Sequence, residues 1–317
     1  MIDISIIIVT YNSKWFELKA TIKSVLMQKG INYEIIFADD GSKIKWNEKI
    51  REYVKGDYNY CFADSNINVG TVSNIINALK VSKGKYIKVI SPGDCLNGKL
   101  AIKKWIDFME KERADLSFCN AIYYKKDNAK KIEVLKEKSS PKNVNIYHKR
   151  KNKGKLFVDY LLANDTILGA AVLAKRNIIL KYLLEMEGKV KYAEDYMIRL
   201  MIFDNKKICH MDKNLIWYEY GDGISTTKNN KWAKLLYQDF EGTNEIIKNR
   251  KNIENKMQKK YQKYLIDSNY QWMPRKGKKV LLFPGMIFCR IKMKLSHNNT
   301  PFEDEKKLEI ILQDNVQ

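Results

Sequence analysis

The chain has 317 residues, 45% apolar and 30% charged, a balance that fits one large globular domain or one domain with an appendage and excludes wholesale disorder. Its longest uncharged apolar run, residues 280–289, is ten residues long and broken by Pro284 and Gly285, short of the ~20 that a membrane-spanning helix needs. The net charge of +21 collects in residues 125–155 (+9) and 243–294 (+11), so the other 234 residues carry only +1, and 50 Lys against 8 Arg is a poor match to base and phosphate recognition.

Residues 2–9 (IDISIIIV) are a continuous β-branched run, the pattern of a strand buried on both faces. Residues 15–27 follow with helical spacing. Residues 33–38 (YEIIFA) read as a second strand ending in Asp39-Asp40-Gly41-Ser42. A helical stretch from about residue 47 leads to a third strand near 58–63. Asn68-Val69-Gly70 then opens a helix over 71–81, which Gly84 closes. Residues 86–90 (YIKVI) are a fourth strand, ending at Ser91-Pro92-Gly93-Asp94. Strands separated by helix-length crossovers predict a largely parallel sheet with right-handed connections.

The later pattern is less regular. Residues 115–124 predict a strand leading into the basic segment 125–155, which has no hydrophobic period and reads as a loop or insertion. Residues 166–175 read as a strand and 177–186 as a helix. A further helix starts at Asp195, with Met197, Ile198, Leu200 and Met201 as its apolar face. Residues 215–220 (LIWYEY) are a strand ending in Gly221-Asp222-Gly223-Ile224-Ser225. Beyond it, 228–268 is helical and polar, and 272–295 is basic and apolar together. Five scattered cysteines without CxxC spacing and three distant histidines offer neither a disulfide framework nor a metal cluster, and the N-terminus lacks the basic region of a signal peptide. A reducing, cytoplasmic setting is the expectation.

In an open α/β sheet, ligands bind beyond the carboxyl ends of the strands. Four polar clusters fall at such ends: Thr10-Tyr11-Asn12, Asp39-Asp40-Gly41-Ser42, Asn68-Val69-Gly70 and Ser91-Pro92-Gly93-Asp94. Any one of them is an ordinary turn. All four along one edge are not. With Glu194-Asp195 and the Gly-x-Gly-x-Ser-Thr turn from Gly221 to Thr226, the residues IIIVTYN, IIFADDGS, NVG and KGKYIKVISPGD resemble inverting glycosyltransferases of family 2, of the bacterial surface-polysaccharide type. The resemblance spans about residues 1–226. It implies an α/β GT-A fold, a Rossmann-like, mostly parallel central sheet flanked by helices, over 1–226, with a helical, basic C-terminal extension over 227–317.

The resemblance also implies roles. Asp39 or Asp40 would accept from a base N–H, with Thr10, Tyr11 and Asn12 close by and Asn68, Gly70 and Asn74 lining the nucleoside. Asp94 would hold Mg²⁺ or Mn²⁺ against the donor diphosphate; relatives place further aspartates where this chain has Ser91, Pro92 and Gly93. Gly221, Gly223 and Ser225 would close over the diphosphate. Asp195, with Glu194 beside it, would take the proton from the acceptor hydroxyl. The expected donor is a nucleotide diphosphate sugar, most simply UDP-linked, and the acceptor a growing surface glycan or a glycan on a polyprenyl-diphosphate carrier.

The tail mixes cations with apolar anchors, as segments that lie on anionic membrane surfaces do, so peripheral attachment at the inner face of the cell membrane is expected. A core-packing helix pair or an oligomer contact is the competing reading. Two other functions fit parts of the sequence: a non-catalytic GT-A module that binds or scaffolds a partner enzyme, and a nucleic-acid binder using 125–155 and 243–294. The neutral body and scarce arginine speak against nucleic acid, and Glu194-Asp195 speaks against a non-catalytic module.

Overall fold

Ile4, Ile6 and Ile8 of β1 (Ile4–Thr10) face one side of the sheet and Ile7 the other, and all four are fully buried. Each such isoleucine contributes roughly 1.5–3 kcal/mol by leaving water, so both faces must be covered. A computed structural model describes residues 1–126, 132–148, 153–221, 230–266, 275–295 and 303–312 and shows how. β1 is followed by α1 (Trp15–Leu26), β2 (Tyr33–Asp39), α2 (Asn47–Tyr53), β3 (Tyr60–Phe62), α3 (Thr71–Val81) and β4 (Tyr86–Ile90). Next come β5 (Cys95–Leu96), α4 (Ala101–Glu112), β6 (Leu116–Lys126), β7 (Ile132–Val134) and α5 (Lys153–Phe157). β8 (Val172–Lys175), α6 (Arg176–Met186), α7 (Met197–Phe203) and β9 (Ile208–Glu219) complete the sheet and its cover.

The strand order is β3-β2-β1-β4-β8-β6-β9-β5, with β7 paired to β6. β1 to β4, β6 and β9 run one way; β5, β7 and β8 run against them. The sheet is therefore mostly parallel and flanked by helices, as the resemblance implied. Leu18, Ile22, Ile50, Ile102 and Trp105 of α1, α2 and α4 seal one face. Val72, Ile75, Leu183 and Leu200 of α3, α6 and α7 seal the other.

The C-terminal helices are α8 (Asn230–Lys248), α9 (Lys256–Ile266), α10 (Arg275–Leu282), α11 (Gly285–Leu295) and α12 (Lys306–Leu312). Ile246, Ile247, Tyr261 and Met286 bury into the same cluster as α3, α6 and α7, while Leu308 and Ile311 pack with Trp217 and Ala20 on the opposite face. Among the described residues, no helix is long and apolar enough to cross a membrane.

β5 and α4 lie between the fourth predicted strand and the strand over 115–124, where no element was predicted, and three predicted segments differ from expectation. β9 begins at Ile208, because its polar stretch bulges: Met211 pairs with Cys119 and Asn214 with Asn120, so Asp212 and Lys213 stand out of the ladder and the strand resumes beyond them. The basic segment contains a hairpin: β7 pairs with the end of β6, and Lys125 meets Glu133 at 2.9 Å. The expected strand over 166–175 is strand only from Val172, after a short 3₁₀ turn at Gly169–Ala171.

Candidate active site

Parallel strands put their carboxyl ends on one edge, and the predicted clusters meet there. Thr10 Oγ1 and Ser42 Oγ donate to Asp39 Oδ1 at 2.8 and 2.5 Å, and the Ser42 N–H donates to Oδ2 at 2.8 Å. Asn12 has a left-handed φ of 50° and accepts from the Lys43 N–H at 3.0 Å, fastening the first loop to the second. Tyr11 is exposed at the rim. Asp40 accepts from the Val69 and Gly70 N–H groups at 2.7 and 3.0 Å, one per oxygen. Burial pushes its carboxyl up, against the pull of those two N–H groups. Of its ~4 lone-pair sites two are used, against three for Asp39. Asp40 therefore has more capacity left for a ligand N–H.

Gly70 sits at φ 90°, and a Cβ there would lie 2.4 Å from Lys191 Cγ, so only glycine fits. Asn74, in the first turn of α3, donates to Ala38 O at 2.9 Å; its Oδ1 is buried and has no hydrogen-bond partner. The half-buried Asn68 follows Ile67, whose backbone abuts Gly41.

Asp94 is buried, and its Oδ1 accepts from the Glu219 N–H at 3.1 Å. Burial raises its carboxyl well above the ordinary range. Glu219 itself leans into the room that a side chain at residue 93 would take, and Lys126 Nζ pairs with it at 3.1 Å. Lys88 lies fully buried beneath the same turn. Its Nζ donates to Val89 O at 2.5 Å and Ala170 O at 2.6 Å. Burial pulls this ammonium down, while Cys119, Asp94 and Glu194 pull it back up. A lysine in a strand otherwise made of Tyr, Ile and Val would be expected on a wet face; here both faces are dry.

Glu194 and Asp195 form a 3₁₀ turn, Glu194–Tyr196, that runs into α7. Both remain partly open to solvent, in a crevice deep enough that burial raises each carboxyl, Glu194 further because Asp195 is beside it. A Cβ on Gly169 would stand 3.1 Å from Asp195 Cβ, so Asp195 sits against the Gly169–Ala171 turn that Lys88 holds through Ala170. The crevice is latched from the C-terminal side. The Asp239 carboxylate of α8 accepts from the N–H groups of Lys191, Tyr192 and Ala193 at 2.8, 2.8 and 2.9 Å. Gly242 lets α8 approach further: a Cβ there would be 2.1 Å from Lys189 O.

The structure thus brings Asp39, Asp40, Asp94, Glu194 and Asp195 to one edge of one sheet. Gly221, at φ 133°, follows the end of β9 at that edge; Gly223 and Ser225 lie outside the described residues. Lys88, Glu219, Lys126 and Asp239 were not among the expected site residues, and only an unusual lysine inside an apolar strand marked one of them. His148 and His210, distant in sequence, stack with their rings 2.8 Å apart at Nε2 and Nδ1, and burial lowers His210 to about 4. The pair joins β9 to a 3₁₀ turn and stands apart from the acidic edge. Surface clefts of about 580 and 570 Å³ are likewise lined by none of the five edge carboxylates.

Asp94 fits a hard cation as a minimal donor set. Mg²⁺ is commonly held by one or two carboxylates together with substrate phosphates and water, and a buried carboxyl kept from ionising gains most from a cation beside it. Among the described residues, no group of three or more His, Cys, Asp or Glu could hold a metal unaided.

Comparison with known proteins gives a family and a fold. The family described as Glycosyl transferase family 2 matches residues 5–174. An uncharacterized glycosyltransferase of Methanocaldococcus jannaschii is 27% identical over 195 residues, which cover 61% of this chain and 62% of that protein, so the match spans less than two thirds of the relative. The Escherichia coli UDP-Glc:alpha-D-GlcNAc-diphosphoundecaprenol beta-1,3-glucosyltransferase WfaP is 29% identical over 235 residues, 74% of this chain and 83% of that one. Among solved structures, S. aureus TarS in complex with UDP-GlcNAc superposes with a TM-score of 0.57, over 91% of this chain and 81% of TarS, at 16% identity. That last likeness is one of fold.

Proposed function

The chain belongs to glycosyl transferase family 2, and from that premise we propose that it is an inverting enzyme moving a hexose or N-acetylhexosamine from a UDP-sugar to a growing surface glycan on a polyprenyl-diphosphate carrier. One observation carries the reading: Asp40, Asp94 and Asp195 converge on one strand edge, the first two held by backbone N–H groups and the third half-open beside a turn. The UDP-GlcNAc held by TarS and the diphosphoundecaprenol-linked acceptor of WfaP support the choice of donor and carrier. In this reading residues 1–226 are the transferase unit, and 227–317 hold it at the cytoplasmic face of the membrane.

Each side chain has a task. Asp40 accepts the uracil N–H, with Tyr11 against the base and Asn68, Gly70 and Asn74 around the nucleoside. Asp39, bound by Thr10 and Ser42, fixes the loop that carries Asp40. Gly221, Gly223 and Ser225 offer N–H and hydroxyl groups to the diphosphate. Asp195 accepts the proton of the acceptor hydroxyl as its oxygen attacks the anomeric carbon from the side opposite the departing UDP, which inverts that centre. Glu194, whose burial favours its protonated form, keeps the pair from carrying two charges at once. Mg²⁺ or Mn²⁺ at Asp94 would neutralise charge developing on the leaving diphosphate.

Transfer from a panel of nucleotide sugars to a lipid-linked acceptor tests the reading, and no transfer with any UDP-sugar would overturn it. Asp94→Ala is expected to weaken Mn²⁺-supported UDP binding about ten-fold or more, since losing even an outer-shell partner of a metal ligand costs roughly 10–100-fold in metal affinity. Calorimetry giving one affinity with and without Mn²⁺ would remove the metal role. Asp239→Ala should leave three N–H groups without their acceptor and let the 191–193 segment move. The expected result is a kcat about ten-fold lower or more, with UDP affinity changed far less; single-turnover rates beside UDP calorimetry separate the two.

A further inference from the structure

Helix α11 is apolar on two opposite sides. At 100° per residue, Ile287, Phe288, Ile291 and Leu295 fall within an arc of about 100°. Met286, Cys289 and Met293 occupy the opposite arc. The second group faces inward: Met286 is fully buried, and the other two are half-buried. The first group faces water, with Phe288 76%, Ile291 50% and Leu295 69% exposed. Lys292 borders the outward stripe on one side, and Lys294 and Arg290 border it on the other. Apolar side chains aimed at solvent between two rows of cations are the arrangement of a helix that lies in a lipid interface.

We propose that this outward face of α11 is a docking surface for an anionic phospholipid bilayer, with Phe288 and Ile291 entering the acyl boundary and Lys292, Lys294 and Arg290 meeting the headgroups. Charge selects the occupant. Residues 243–294 carry +11, so a second copy laid on the same face would bring like charges together, whereas an anionic surface neutralises them. Position gives the docking a purpose. α11 packs on the π-helical turn Val158–Leu162, and Lys279 of α10 donates to Leu161 O in that turn at 3.2 Å. Tyr160 of the turn lies close enough to Asp195 for the carboxylate to act on its phenol. The base is therefore one layer behind the lipid-facing helix. Delivery of a lipid-carried acceptor to it rests on the transferase reading; the docking does not.

The test is flotation of the full chain with vesicles of phosphatidylglycerol and phosphatidylcholine, beside vesicles of phosphatidylcholine alone. The wild type is expected to float with the anionic vesicles only and to be released by salt. F288E/I291E, and separately K292E/K294E, should each reduce binding about ten-fold or more. These side chains point outward, so melting temperature and stabilisation by UDP should stay as in the wild type; if the glutamates disturb folding, F288S/I291S replaces them. Wild-type protein that fails to float, or F288E/I291E that floats equally well, overturns the proposal. So does a dimer in sedimentation that F288E/I291E abolishes without any vesicle binding. Failure of UDP to stabilise the wild type would count against the transferase reading and leave the flotation result standing.

Discussion

Asp195→Asn should lower the rate of sugar transfer by about a thousand-fold while UDP affinity stays within about two-fold, since a positioned general base contributes roughly 10²–10⁴. The amide keeps the shape of the carboxylate and its place against Gly169, so the crevice is preserved and only proton acceptance is lost. Burial pushes Asp195 up to about 6, which leaves it mostly ionised at neutral pH. The sign of the pH dependence follows. Below about 6 the base is protonated, and kcat/KM should fall about ten-fold per further pH unit; the acid limb should be missing from the residual activity of the Asn variant. Because ionising a buried carboxylate opposes folding, the variant should melt no lower than the wild type at pH 7. Initial rates over a pH series, with UDP calorimetry on both proteins, decide the matter. A fully active Asp195→Asn enzyme would take the base assignment with it.

Asp40→Ala is expected to abolish measurable UDP binding and to cost about 2–6 kcal/mol of stability, because the part-buried Val69 N–H and the buried Gly70 N–H lose their acceptors at about 1–3 kcal/mol each. Those two bonds hold the loop that opens α3, so the helix start, Asn74 and the seat of Lys191 on Gly70 should loosen together. Asp40→Asn should fall between the two, since one amide oxygen cannot accept from both donors in the same geometry. Denaturant unfolding reads the first effect and calorimetry the second. Wild-type stability in the alanine variant would mean that the Val69 and Gly70 N–H groups find water instead, and intact UDP affinity would remove Asp40 from the donor site.

Much of the sheet could be read in advance because its signals are local. A β-branched run such as IDISIIIV is a strand whatever surrounds it, and a strand ending in Asp-Asp-Gly-Ser ends in a turn. That parallel strands share an edge is also a general rule, so the meeting of Thr10, Asp39, Asp40 and Gly70 was legible before any coordinates. What stayed hidden depends on partners far away in the chain. The first half of β9 carries His210, Asp212, Lys213 and Asn214 and looks like a loop until Asn120 donates to Asp212 at 2.8 Å across the irregular pairing. Lys88 is the lone charge in the strand YIKVI, and only the cover packed over both sides makes it a buried cation. Asp239 sits in a polar helix where nothing local distinguishes it from its neighbours. Its three N–H donors come from a segment almost fifty positions earlier.

The grip of α8 on residues 189–193 bears on how such a chain can be rearranged. Asp239 and Gly242 lie well past the stretch that the family description covers, yet they shape the approach to Asp195. A chimaera that joins residues 1–226 to the tail of a relative would keep every edge carboxylate and lose the clasp on the segment that leads into Glu194 and Asp195. Donor recognition and turnover would then separate at the junction, and exchange between relatives would succeed only where helix and clasped segment travel as one cassette.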